Sequence, residues 1–319
     1  MTTLIIGAGL IGSQIARLLV EQGETPILLD RAPQPHALGQ IVDLSKVKLE
    51  RGDVLKPLSL AELMRADAVS AVIHLAANPL LTIGAQRDPH AAIELNIMGT
   101  TNVLEAARVC GVKRVVVASS SVLNHHVAGG DGSGDPAREE GLPRPMSIYA
   151  SCKLAIEHIG LSYARGFGLE FAALRYGAVA GPWGGEGGGG PSNDFLAIVR
   201  GALAGEEVVI PGSNMEWIYS KDAARATLLA AQKLAIAGGV FNVTLGQMTT
   251  PEDLGKALVE AIPGAKFRIG GGSQDALKLP QHSRASDVTR AREILGFRPE
   301  YLMVDAIRDT AAWFRSRRT

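Results

Sequence analysis

Two cysteines, Cys110 and Cys152, are all that this chain of 319 residues contains. So long a chain with so few is no disulfide scaffold, and their separation is not that of a zinc site. Net charge is missing too, because 32 lysines and arginines balance 32 aspartates and glutamates. No field draws such a protein to nucleic acid or to an anionic membrane, and neither is expected as a partner. Long apolar runs are also absent. The opening "MTTLIIGAGLIG" lacks a basic leader and a cleavage site, and its glycines break it short of a membrane span. A cytoplasmic protein is expected, and no ligand set for a metal is present. What remains is 46% hydrophobic and 20% charged, the profile of a globular protein with ample core.

Along the chain, strand-like and helix-like segments alternate. "TTLII" (2–6), "PILLD" (26–30), "AVSAVIHLAA" (68–77) and "KRVVVASS" (113–120) are apolar runs of the kind buried in parallel sheets. Helical spacing covers 11–23, 88–111 and 146–166, and "LEFAALRYGAV" (169–179) reads as a sixth strand. This predicts an α/β fold with a doubly wound parallel sheet, over residues 1–180. After residue 180 the texture changes. "GPWGGEGGGGPSNDF" (181–195) is glycine-rich, and shorter strands and helices follow to 319. These predict a smaller C-terminal α/β region for substrate, some of whose segments pack back on the first. The glycine stretch is either a plain surface loop or a lid where the halves meet.

"GAGLIG" contains Gly7, Gly9 and Gly12 in GxGxxG spacing, between a strand and a helix. The first glycine permits a tight turn, the second lets backbone approach a pyrophosphate, and the third lets helix pack on strand. The helix start, with Leu10 and Ile11, faces the phosphate charge. Asp30, 18 residues after Gly12, ends the second strand, where a carboxylate takes both ribose hydroxyls of NAD and repels the 2′-phosphate of NADP. Arg31 beside it softens that preference. Asp53 and Val54 end the third strand at the same edge and meet the adenine end. Leu75, Ala76 and Ala77 end the fourth and pass along the cofactor. His74 reads as a packed strand histidine.

"IYASCK" sets Tyr149 and Lys153 four residues apart, one above the other on a helix. "VVVASSS" brings Ser119, Ser120 and Ser121 to the same strand edge. A free tyrosine titrates near ~10, and a neighbouring ammonium favours its phenolate. A phenolate is a competent base for a hydroxyl proton while hydride leaves the same carbon.

With these pieces the chain resembles the extended short-chain dehydrogenase/reductase family, also called the NAD-dependent epimerase/dehydratase family. The resemblance spans "GAGLIG", "VIHLAA", "NIMGTTNVLEAAR", "RVVVASSS", "YASCK", "LRYGAVAGP", "WIYSKDAARA" and "SDVTRAREILGFRP". It implies Tyr149 as proton acceptor, Lys153 on the nicotinamide ribose, and Ser120, or else Ser121, on the substrate oxygen. It also implies Asn96 and Tyr176 beside NAD. The long helices 88–111 and 146–166 resemble the family's dimer-forming pair, with Ile156, Ile159 and Tyr163 open to either a homodimer contact or packing within one chain.

Departures bear on the substrate. Ile6 stands where the family usually has its first glycine. Leu123-Asn124-His125 replaces Val-Tyr-Gly, and Ala178 an asparagine that touches sugar nucleotides. Met215 replaces an arginine used against diphosphate, which removes a bidentate, charge-assisted anchor. The serine run lacks the acidic pair of dehydratases. Arg175 and Arg284 are candidate anion partners or salt-bridging residues, and His125 and His126 substrate contacts or solvent histidines. Cys152 reads as packed. The function expected first is NAD-dependent oxidation of a secondary alcohol on a small polar substrate: sugar, polyol or sugar acid. The alternative is a sugar or nucleotide-sugar epimerase that retains its NAD, and a third reading is a non-catalytic NAD sensor.

Overall fold

Seven short strands form the centre of the molecule, most of them too apolar to face water on either side, with the charged strand Lys48–Arg51 at the edge. In chain order the first six are β1 (Thr3–Ile6), β2 (Ile27–Asp30), β3 (Lys48–Arg51), β4 (Ala71–His74), β5 (Arg114–Ser120) and β6 (Glu170–Tyr176). A computed structural model describes residues 1–76, 87–125 (His125 by its main chain alone), 136–233, 236, 238–270 and 284–317. The strands are all parallel. The sheet order is β10-β6-β5-β4-β1-β2-β3, where β10 is Gly239–Val243 from far down the chain. Parallel strands need crossover connections, and the helices that make them cover both faces. Ile5, Leu28, Ile73 and Val116 therefore pack on one side, and Leu4, Val72, Val115 and Val117 on the other.

The helices begin where local chemistry starts them. α1 (Leu10–Glu21) follows the glycine turn. α2 (Pro35–Leu38) and α3 (Pro57–Ala66) each have proline in the first turn, where its missing N–H costs nothing. α4 (Pro89–Ile93) is capped by Asp88, whose side chain accepts the Ala91 N–H. It runs through a wide turn, Glu94–Met98, into α5 (Gly99–Val109). The single helix predicted over 88–111 is thus interrupted, a feature with no hydrophobic-period signal. After β5 come the short α6 (Val122–His125) and α7 (Ile148–Phe167), capped by Ser147 on the Ala150 N–H at 3.1 Å.

The predicted strand 169–179 is in fact two. β6 stops at Tyr176, and β7 (Ala178–Ala180) joins a different sheet, ordered β11-β9-β7. Gly177 makes the switch: a Cβ there would sit 2.7 Å from the Glu216 carbonyl oxygen, so only glycine lets the two backbones approach. α8 (Gly190–Leu203) starts inside the glycine-rich stretch. β8 (Glu207–Pro211) pairs with β12 (Lys266–Gly270), and β9 (Met215–Tyr219) with β7 and β11 (Met248–Thr249). Sequence patterning missed β9 and β12. β12 is exposed on most of its length, and β9 hides a buried glutamate among its apolar residues. α9 (Ser220–Gln232) lies against α1, and with β10 it places C-terminal residues on the main sheet. α10 (Pro251–Ala261) and α11 (Met303–Arg315) close the smaller core around Trp217, Leu258 and Ile307.

Candidate active site

All the parallel strands end on one edge, and that edge collects the predicted site residues. At β1 the turn is drawn tight. Gly7 has φ +108, and a Cβ there would lie 2.9 Å from the Ala76 main-chain nitrogen. A Cβ on Gly12 would lie 2.1 Å from the Gly7 oxygen, so helix and turn touch without room for a side chain. Gly9 differs. Nothing lies within 4 Å of its added Cβ, and as N-cap of α1 it offers no side chain to the first-turn amides. The first-turn amides at Leu10 and Ile11 thus have no side-chain cap at the positive end of the helix, a place that suits a pyrophosphate. Ile6, in place of a glycine, is buried in β1, and its carbonyl accepts the amides of Leu75 (2.8 Å) and Ala76 (3.0 Å).

Asp30 is held by main chain. Ala8 N–H donates to Oδ2 and Ala32 N–H to Oδ1, both at 2.9 Å, which leaves a lone pair on each oxygen for a ribose hydroxyl. Beyond it opens a cavity of about 500 Å³ between Ala32, Pro33, Pro35, Leu49 and Arg51. Asp53 turns back on the Leu55 N–H (2.9 Å), and the Val54 carbonyl accepts from Asn102 (3.0 Å). Leu75 and Ala76 are half-buried on the same edge, while Ala77 and His126 lie outside the described residues.

The strap between the two halves is specific. Trp183 is buried in the core that Leu10, Ile11, Ala37 and Leu38 share, and its indole N–H donates to the Glu186 carbonyl (3.2 Å). Gln34 reads the Glu186 main chain in both directions: its amide donates to the carbonyl (3.0 Å), and its oxygen accepts the N–H (2.6 Å). The loop from Gly181 to Glu186 therefore runs from near Leu10 to the segment after Asp30. No sequence signal marks the Gln34 contact, whose partners are 152 positions apart.

At β5 the three serines separate by role. Ser119 donates to the Glu157 carboxylate. Ser121 is buried, and its main chain spans Tyr176 and Asn124. Ser120 is half-buried and lies beside the Tyr149 hydroxyl, whose ionised form it favours. Lys153 is 3% exposed, donates to the Ala118 carbonyl at 2.7 Å, and lies 5.5 Å from the centroid of the Tyr149 ring. Burial holds its ammonium down to about 8, against the opposing influence of Cys152 and Glu157. Burial also pushes the Tyr149 phenol up to about 12, with the Ser120 hydroxyl pulling the other way.

Asn96 sits in the wide turn. Its amide donates to the Ala92 carbonyl (2.8 Å), and its Oδ1 is buried without a partner among the described residues. His74 is buried with Nε2 3.1 Å from the Thr100 hydroxyl, and desolvation lowers it to about 3, so it is neutral, as a packed histidine is expected to be. Tyr176 is buried beside Ser120, with its hydroxyl 2.6 Å from that of Thr227. Cys152 is buried. Arg175 is spent on Glu157 and Asn124. The sequence reading missed the Glu157 role, although 149, 153 and 157 repeat every fourth residue. Ile156 is 2% exposed and packs inside the chain, which removes it from any subunit contact. Among the described residues no helix is long and apolar enough to cross a membrane, and no group of three His, Cys, Asp or Glu side chains is arranged for a metal.

These features agree with what the chain is similar to. The UDP-glucose 4-epimerase of Halalkalibacterium halodurans is 29% identical over 316 residues, 92% of this chain and 89% of the relative. The crystal structure of Thermus thermophilus UDP-glucose 4-epimerase with NAD superposes with a TM-score of 0.82 at 27% identity, covering 99% of this chain and 100% of the other. That of the Thermotoga maritima UDP-glucose 4-epimerase with UDP-glucose gives 0.81 at 26%, covering 100% of both. The model of the NAD-dependent epimerase/dehydratase family matches residues 3–244, and the chain belongs to that family, as an enzyme whose cofactor is NAD.

Proposed function

We propose that this enzyme is an epimerase of a sugar or nucleotide sugar, working by transient oxidation of one secondary alcohol on a retained NAD. The observation that carries the proposal is the convergence of Tyr149, Lys153 and Ser120 beside a turn shaped for a dinucleotide, in a chain matched end to end by UDP-glucose 4-epimerases. This favours the epimerase over the simple dehydrogenase expected first from the sequence.

In the proposed roles, Tyr149 as phenolate takes the substrate's hydroxyl proton, and Ser120 holds that oxygen by hydrogen bond. Lys153, fixed on the Ala118 carbonyl, supplies positive charge near the phenolate and a donor for the ribose. Asp30 takes the adenosine ribose hydroxyls, and the α1 amides the pyrophosphate. NAD, when bound, supplies the ring that accepts hydride and gives it back. Return of hydride to the opposite face requires that the cofactor stay, and the Trp183–Gln34 strap across the groove supports retention. A homodimer is part of the proposal. Ile93, Met98, Val109 and Phe167 on the two long helical segments are exposed apolar groups suited to a second copy.

Met215 favours a second reading. Half-buried at the start of β9, it offers a diphosphate no charge, which suits net oxidation of a smaller, unphosphorylated substrate. One experiment separates them. The purified protein is dialysed, denatured and assayed for NAD, then tested on UDP-sugars and free sugars by proton NMR and NADH absorbance. Near-stoichiometric NAD and epimer interconversion without NADH are expected. An empty site with NADH accumulating from a free sugar or sugar acid would establish the dehydrogenase instead.

A further inference from the structure

The stripe of functional residues on α7 does not stop at Lys153. Glu157 lies one turn further on the same face and is 2% exposed. Arg175 of β6, 3% exposed, grips its carboxylate with two parallel bonds, Nε to Oε1 at 2.9 Å and Nη2 to Oε2 at 2.8 Å. Ser119, the residue before Ser120, donates to the same carboxylate. The remaining arm of Arg175, Nη1, donates to Asn124 Oδ1 at 2.8 Å. Asn124 in turn donates to Asn242 Oδ1 (2.7 Å) and Ser286 Oγ (2.8 Å), and Ser286 donates to Glu216 (2.7 Å), the neighbour of Met215. A continuous buried chain of polar groups thus joins the serine edge, the Tyr–Lys helix and the substrate region. Asn124 stands where the family pattern has a tyrosine, so this link is made by one of the chain's own departures.

A buried ion pair is a costly way to fill a core. Desolvation takes back most of the attraction, and apolar residues of the same volume hold such space at least as well. What a bidentate pair adds is fixed geometry and a fixed charge. We infer that Glu157 and Arg175 are a positioning pair for the reaction: they lock the serine edge of β5 against the Tyr–Lys helix, and they set a negative charge one turn beyond Lys153. The inference rests on the proposed roles of Tyr149 and Lys153.

The surroundings of Lys153 leave Glu157 as the buried carboxylate that acts on it. On its own helix Cys152 is the other titratable influence. From β4, His74 is neutral. On the helical segments packed against α7, His90 and Glu94 are exposed, and Glu105 is held by Arg108 and Tyr163. On β5 and β6, Arg114 and Glu170 pair with each other at the far end of the strands.

The test uses the NAD-loaded enzyme and a UDP-sugar or sugar that the wild type turns over. Glu157→Gln keeps an acceptor for Ser119 and Arg175 but loses the charge, and it leaves the Arg175 cation uncompensated. Both effects disfavour the Lys153 ammonium, which loses the carboxylate that supports it, so the basic-side midpoint of the pH–kcat profile should fall by about one unit. Arg175→Lys keeps the charge balance but loses the fork. It should leave that midpoint within a few tenths of a unit while kcat drops about tenfold and KM stays within about twofold. A Glu157→Gln enzyme that is merely less heat-stable, with an unmoved midpoint, overturns the inference. If Glu157→Gln does not fold, Arg175→Lys decides, and wild-type kcat in that variant overturns it. A wild type that turns over nothing and holds no NAD would instead be a failure of the proposed function.

Discussion

The cofactor edge and the catalytic edge of this molecule are built from different materials. Around β1 and β2 the groups proposed to meet NAD are main chain, with Asp30 as the exception: the amides of α1 and the close turn at Gly7 and Gly12, while two further amides orient the Asp30 carboxylate. Around β5 and α7 they are side chains, each held by another side chain or carbonyl far away in sequence: Lys153 on Ala118, Ser119 on Glu157, Arg175 on Asn124. A site made of backbone tolerates change in side chains that do not fill its space, and it depends on a few glycines. A site made of buried side chains has titratable groups whose charges move one another. The difference teaches where to expect an all-or-none loss and where to expect tuning.

The comparison can be broken most severely at Tyr149. Tyr149→Phe removes the proposed base without touching the glycine turn. Turnover should fall by about 10²- to 10⁴-fold while NAD content, measured after denaturation, stays near wild type. Full activity in that variant would end the mechanism, and lost NAD would mean the two edges are not separable. Next in size is Asp30→Ala, which removes a charged acceptor from the ribose. It should cost roughly 1.5–3 kcal/mol of preference, about 10- to 100-fold in the ratio of NAD to NADP affinity by titration. An unchanged ratio would mean that Asp30 serves only its two amides. Smallest is Gln34→Ala. Loss of its paired exposed bonds to Glu186, about 0.7 kcal/mol each, should speed NAD release by about tenfold in a filtration assay. An equal release rate would show that the strap does not retain the cofactor.

How far the sequence could be read follows from the same contrast. The glycine spacing, the second-strand aspartate and the apolar strands are local patterns, so the first six strands of the main sheet and the first helix were legible to within about three residues, while the place of β10 in that sheet was not. Tyr149 and Lys153 were legible because a helix turns four-residue spacing into contact. The resemblance already favoured Ser120 over Ser121 for the substrate oxygen, but the bond of Ser119 to Glu157 needed coordinates, because three identical neighbours differ only in which way the strand turns them. β9 was missed because buried Glu216 breaks its apolar run, and its partners, Thr244 and Ser286, lie 28 and 70 residues away. The split at Gly177 was missed because a switch of sheets leaves no periodic mark.

By itself the sequence determined a nucleotide-binding α/β fold, its phosphate turn and the pair Tyr149–Lys153, since each rests on spacing within one turn or one crossover. The tertiary structure alone decided that burial raises the Tyr149 phenol, that Arg175 serves Glu157 rather than an anion, and that a loop from residue 181 reaches the segment after Asp30. Desolvation and long-range hydrogen bonds depend on what surrounds a group in space, and distance along the chain carries almost no information about that.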